Sequence, residues 1–153
     1  MTRHRFLLPS LALLLAAAAP VPLSEQPGTE LDRAARTLVA QDLNEAEGRR
    51  ELPLVLVGSA RLGRAQDQPA LFVQLQSPRE CGSAGCNTSV YLRQAGAWRK
   101  VLDSVSGPVT VADTRSRGLR DLLVGQERYV WNGTQYVNSR PAPAVDIRPR
   151  ATR

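Results

Sequence analysis

The chain has one histidine, His4, within its first five residues, and none in the remainder of its 153. Beyond that point no Ser-His-Asp or Cys-His catalytic group can be assembled, and no His-ligated metal centre. Lys100 is the sole lysine, so a Ser-Lys dyad would depend on it. Two cysteines, Cys81 and Cys86, offer zinc only half of the four ligands it takes. No glycine-rich phosphate loop is present. After the apolar start, no run approaches the roughly 20 residues of a spanning helix.

What is present begins with an export signal. Arg3, His4 and Arg5 precede an apolar run from Phe6 to Ala19, and Ala16-Ala17-Ala18 forms a small-residue cleavage site. The reading is a signal peptide over 1–18, cleaved after Ala18, then a Pro-containing linker over 19–28. An uncleaved membrane anchor is the alternative, and about 14 apolar residues are short for it. No cysteine follows the run, so a lipid anchor is not indicated. Export places the protein in the periplasm or the medium. The Arg-heavy, Ala-rich composition points to a bacterium with a GC-rich genome. The formal charge is +6, or +4 without Arg3 and Arg5. Much of the remainder sits in a Pro/Arg-rich tail over 140–153, with Arg140, Arg148, Arg150 and Arg153, which reads as disordered. A near-balanced body with a basic tail is not a nucleic-acid footprint, which needs a clustered basic face.

Residues 29–139 read as a single α+β domain. Thr29 can cap a helix whose apolar residues Leu31, Ala34, Ala35, Leu38, Val39 and Leu43 recur at helical spacing up to Gly48. Short strands follow at Leu52–Val57, Ala70–Gln76, Ser89–Arg93, Ala97–Leu102, Val109–Ala112 and Leu119–Val124. A last pair, Tyr129–Trp131 and Thr134–Val137, flanks Asn132-Gly133, the dipeptide of a two-residue type I′ hairpin. The expected architecture is one N-terminal amphipathic helix packed on an antiparallel β-meander, with one small-loop disulfide.

Cys81 and Cys86 enclose four residues, and in an oxidising compartment they are expected to pair. Closing so small a loop contributes about 2 kcal/mol. A redox role and a zinc site are the alternatives. Asp42 and Asn44 fit two positions of a calcium loop, but Ala46 stands where the third ligand belongs. A solvated helix end is the other reading of that stretch. Asp103, Asp113, Asp121 and Glu127 lie near strand ends and are the acids from which a carboxylate-based enzyme would have to be built. A contact surface is placed around Ser83, Asn87 and Thr88 together with Trp131 and Asn132.

The order of these motifs resembles that of a group of small secreted bacterial proteins of uncharacterised function. The carriers are Cys-Gly-Ser-Ala-Gly-Cys (81–86), Val-Tyr-Leu (90–92), Gly-Ala-Trp (96–98), Ser-Arg-Gly-Leu-Arg-Asp-Leu-Leu-Val (116–124) and the Tyr129–Tyr136 hairpin. The likeness runs from about Leu31 to Val137, with FG-GAP-like features. The chain departs from the pattern at Leu119, where the group has tryptophan, and in the Asp42 turn. The resemblance implies compartment and fold and brings no activity with it. The functional expectation is a non-enzymatic secreted or periplasmic binding module, without cofactor, whose partner is a protein or cell-envelope component. An inhibitor of a secreted hydrolase and a carboxylate-based enzyme are the alternatives.

Overall fold

The computed structural model describes residues 18–64, 67 and 69–140. The signal peptide and tail expected from the sequence lie, apart from Ala18 and Arg140, outside the described residues.

The helix begins as its residues dictate. The Thr29 hydroxyl accepts a hydrogen bond from the Asp32 amide at 3.2 Å. Asp32 in turn accepts from the Gly28 amide at 3.1 Å and from Arg36 Nε at 2.9 Å. The single helix of the sequence reading is corrected to two: α1 (Glu30–Leu38) and α2 (Ala40–Gly48). They part at Val39, where φ is −106° and ψ is 20°. No glycine or proline causes the break. The Val39 side chain is buried against the sheet, and its amide and carbonyl still make the helical bonds to Ala35 and Leu43. Gly48 is the last helical residue, and the left-handed turn beyond it falls on Arg50, at φ 59°.

Among the described residues nine strands follow, all antiparallel, in two sheets. The first holds β1 (Leu54–Ala60), β2 (Ala70–Gln76), the short β3 (Cys81–Gly82), β4 (Gly85–Gln94) and β5 (Ala97–Ser106). The second holds β6 (Val109–Ser116), β7 (Leu119–Val124), β8 (Glu127–Trp131) and β9 (Tyr136–Asn138). The meander is thus cut at Gly107-Pro108, where the chain passes from one sheet to the other.

Alternation along the strands explains the layering. In β2, Ala70 and Phe72 face the second sheet, and Leu71, Val73 and Leu75 face the helices. Phe72, Val90, Leu102, Val111, Leu122, Trp131 and Tyr136 are part of the core between the sheets. Ala35, Val39, Val55, Leu71 and Tyr91 belong to a second core between helices and sheet. The first sheet is covered on both faces, which is why β2 is buried at nearly every position.

Two devices tie the layers together. Pro20–Gln26 runs as a strap: the Val21 amide donates to the Val109 carbonyl at 2.8 Å, and Ser24 exchanges both backbone hydrogen bonds with Val57. The strap therefore touches both sheets. The second device is the Cys81–Cys86 disulfide, formed across the paired ends of β3 and β4 around the Ser83-Ala84 turn. The Gly107 amide donates to the Cys86 carbonyl at 3.2 Å, so this loop sits on the crossover between the sheets.

Candidate functional site

The site grows out of an irregularity in β5. Opposite β4, Tyr91 pairs with Lys100, Val90 with Leu102 and Thr88 with Val105. Over that stretch β4 advances three residues and β5 five, so β5 carries two bulges. Residues three apart in a regular strand point to opposite faces. The bulges turn Lys100 and Asp103 to the same face, where Lys100 Nζ meets Asp103 Oδ1 at 2.8 Å. Ser104 takes φ 47°, a left-handed conformation that costs a non-glycine residue roughly 1 kcal/mol. Its amide donates to the Ser89 hydroxyl at 3.1 Å, which holds the bulge in place.

These residues form one wall of a cleft of about 190 Å³ on the helix side of the first sheet. Val39 and Asp42 close it from the helices, and Glu80 and Asn87 from the approach to the cysteine loop. Tyr91 forms part of its lining. Tyr91 is 2% exposed, and its hydroxyl has no hydrogen-bond partner among the described residues. Burial raises its pKa above the ordinary phenol value. Lys100 opposes the rise, Asp103 and Asp42 add to it, and the nearby Ser89 hydroxyl lowers it slightly. Ser89 acts there as a side-chain donor at the margin, in a contact that falls short of full hydrogen-bond geometry.

The charges of the cleft are unequal. Asp42, Glu80 and Asp103 face one cation, Lys100. Asp103 lies below the usual carboxylate range, first because Lys100 donates to it, with Ser104 and Ser89 contributing. The same bond raises Lys100. Glu80 Oε2 accepts from Asn87 Nδ2 at 3.0 Å. The exposed Asp42 side chain makes no hydrogen bond or ion pair among the described residues.

The structure scatters the surface expected from the sequence. Ser83 is exposed at the tip of the cysteine loop, and Asn87 lines the cleft. Thr88 is fully buried and accepts from Gln74 Nε2 at 2.9 Å. Trp131, 8% exposed, packs against Tyr136 in the core, with ring centroids 5.4 Å apart. Neither Thr88 nor Trp131 can act as an exposed platform, because alternation points both between the sheets. Asn132 opens a four-residue loop, since Trp131 pairs with Tyr136, and this corrects the two-residue turn. Its Oδ1 accepts from the Thr134 and Gln135 amides at 2.8 and 2.9 Å. That loop lies beside Gln94 and Ala95, at the far end of β4 from the cysteines. Ser83 and Asn132 therefore do not form one surface.

The acids behave differently from one another. Asp113 is 93% exposed and pairs with Arg120, while Glu127 is exposed and accepts from the Tyr129 hydroxyl at 2.8 Å. Asp121 is fully buried and bonded to Thr114 and Arg128. Burial pushes its pKa up, but hydrogen bonds from Thr114 and Arg128, with the Ser116 side chain contributing, outweigh that and bring it below the usual range. Asp42 and Asn44 both fall within α2, where residues two apart point to different sides of the helix, so they cannot share an ion. Among the described residues no cluster of three or more His, Cys, Asp or Glu side chains could hold a metal.

A wider groove of about 400 Å³ is lined by Arg64, Arg93, Arg117, Leu119 and Trp131. None of the buried side-chain atoms left without a partner belongs to its lining. No protein-family model matches this chain, and no curated protein or solved structure is significantly similar to it. Of the cleft, the sequence singles out Asn87 for contact, and Lys100, Asp42 and Asp103 only in other roles. The members of the cleft come from the break at Val39, α2, β2, the Ser77–Glu80 turn, β4 and β5. The one usable signal was Lys100, the only lysine, followed three residues later by Asp103.

Proposed function

We propose that this protein is a small exported binding module, and that it captures its partner in the cleft around Tyr91. The observation that carries this reading is Tyr91, which lines a polar cavity and whose buried hydroxyl is unpartnered among the described residues. Leaving a buried polar group unpaired costs about 1–3 kcal/mol. A ligand that bonds the hydroxyl recovers that cost on binding. The left-handed Ser104 and the doubled bulge beside it are further local costs at the same place, and such costs gather where a site is shaped for use.

Binding suits the cleft better than catalysis. Its one ion pair holds Asp103 ionised and Lys100 protonated near neutral pH, so neither is poised to exchange a proton. The cleft is also smaller than the roughly 300 Å³ at which drug-sized ligand sites begin, which suits a small ligand or one protruding group. Export is supported by the basic-apolar-small start of the chain and by the Cys81–Cys86 disulfide. Among the described residues no helix is long and apolar enough to cross a membrane.

The test is amide chemical-shift mapping of the exported, disulfide-bonded protein against the small-molecule and solubilised-envelope fractions of its own source. Shifts concentrated at Ser89, Tyr91, Lys100 and Ser104 support the reading. Binding that leaves those amides unmoved, or no binding by either fraction, refutes it.

A further inference from the structure

We infer that the cleft takes an alkylammonium group, the protonated end of a small primary amine. The inference rests on the proposed role of the cleft and specifies its ligand. It follows from counting what the cleft still offers once its internal bonds are made. Asp103 Oδ1 is occupied by Lys100, Ser89 and Ser104, which leaves its second oxygen. Glu80 Oε2 is occupied by Asn87, which leaves the other oxygen. Asp42 retains both of its oxygens. The Tyr91 hydroxyl can accept as well as donate. Spare acceptors therefore exceed spare donors, which come down to the remaining protons of Lys100, the second Asn87 amide proton and the Tyr91 proton. Three carboxylates against one ammonium also leave a net negative charge.

A group with three donors and one positive charge matches that surplus, and an alkylammonium is such a group. A carboxylate ligand would face three acids with only Lys100 to receive it. A bare divalent cation needs several oxygens at about 2.0–2.6 Å, closer than the roughly 2.8 Å of an ammonium's hydrogen bonds, and no group of acids among the described residues could hold one. The cavity of about 190 Å³ leaves room for a short alkyl chain behind the ammonium, against the apolar side chains of Val39, Val73 and Leu75.

The experiment titrates the exported, disulfide-bonded protein with 1,4-diaminobutane, with glutarate and with calcium chloride at equal ionic strength, following the amides of Ser89, Tyr91 and Ser104. The diamine should shift those amides saturably, and the other two should not. Asp42→Asn and Glu80→Gln should each weaken the diamine about tenfold, the ratio expected for loss of one charge-assisted hydrogen bond. Asp113→Asn, remote and exposed, should leave it unchanged. Tyr91→Phe should weaken it while the free protein stays folded. If glutarate or calcium shifts the cleft and the diamine does not, the ammonium assignment is overturned and the binding cleft stands. If the diamine moves only amides near Asp113 and Glu127, the effect is general surface charge and the assignment is likewise overturned. If none of the three moves the cleft, the assignment fails, while the extract titration judges the cleft separately.

Discussion

Gly85 and Gly107 meet with their backbones in contact: a Cβ on Gly85 would lie 2.7 Å from the Gly107 Cα. Both have positive φ, 119° and 115°. The cysteine loop thus rests on the crossover where the chain leaves one sheet for the other. A Cβ on Gly107 would stand 2.8 Å from the Ala84 carbonyl oxygen. Gly107→Ala should therefore destabilise the fold by about 2 kcal/mol, combining the strained φ with the lost contact. Urea denaturation would measure it, with Gly96→Ala as the control that has a positive φ and open space.

Replacing Cys81 and Cys86 together by serine should cost about 2 kcal/mol, the amount expected for so short a loop. The variant should remain folded, because the β3–β4 pairing and the bond from the Gly107 amide to the Cys86 carbonyl are made by backbone atoms. Equal thermal midpoints in oxidised and reduced protein would contradict this.

Tyr91→Phe should stabilise the ligand-free protein, by about 1 kcal/mol, since it removes a buried hydroxyl without a partner and keeps the ring. Most truncations in a core destabilise, so the sign is the informative part. A lowered thermal midpoint would show that the hydroxyl is paired in solution.

Asp121 gives the fold an acid-sensitive contribution. Its folded pKa lies below the unfolded value of about 3.9, so the ionised form is stabilising above that value. The contribution is lost as pH falls below about 4, through the depressed folded value. Asp121→Asn should flatten the acid end of a stability-pH profile. Arg128→Met should cost about 2 kcal/mol at neutral pH, because it strands the buried carboxylate; the value is set below that of a fully buried pair, since Arg128 is half exposed.

Where one rule governed a stretch, the sequence was easy to read. Ala70–Gln76 and Leu119–Val124 are strands with the expected limits, because apolar residues and turn formers alternate sharply there. The turn between β4 and β5 was legible in place but one residue too long: Gln94-Ala95-Gly96 reads as the loop, whereas Gln94 pairs with Ala97 and only Ala95 and Gly96 turn, at φ 48° and 82°. The break at Val39 was not, since helical spacing runs straight through it. Asn132-Gly133 misled because the Asn132 side chain caps a longer loop with its own hydrogen bonds. The cleft was hidden for a different reason. A bulge adds residues to one strand of a pair, and nothing in Val101 to Ser104 announces which strand gives way.

The strap from Pro20 to Ser24 binds neither sheet alone. Val21 needs β6 in place, and Ser24 needs β1. Its bonds are complete only when both sheets have formed and come together, so their free energy rewards the joined state and neither half. The two sheets are thereby made into one cooperative unit, and the clasp that joins them is drawn from the first described residues of the chain.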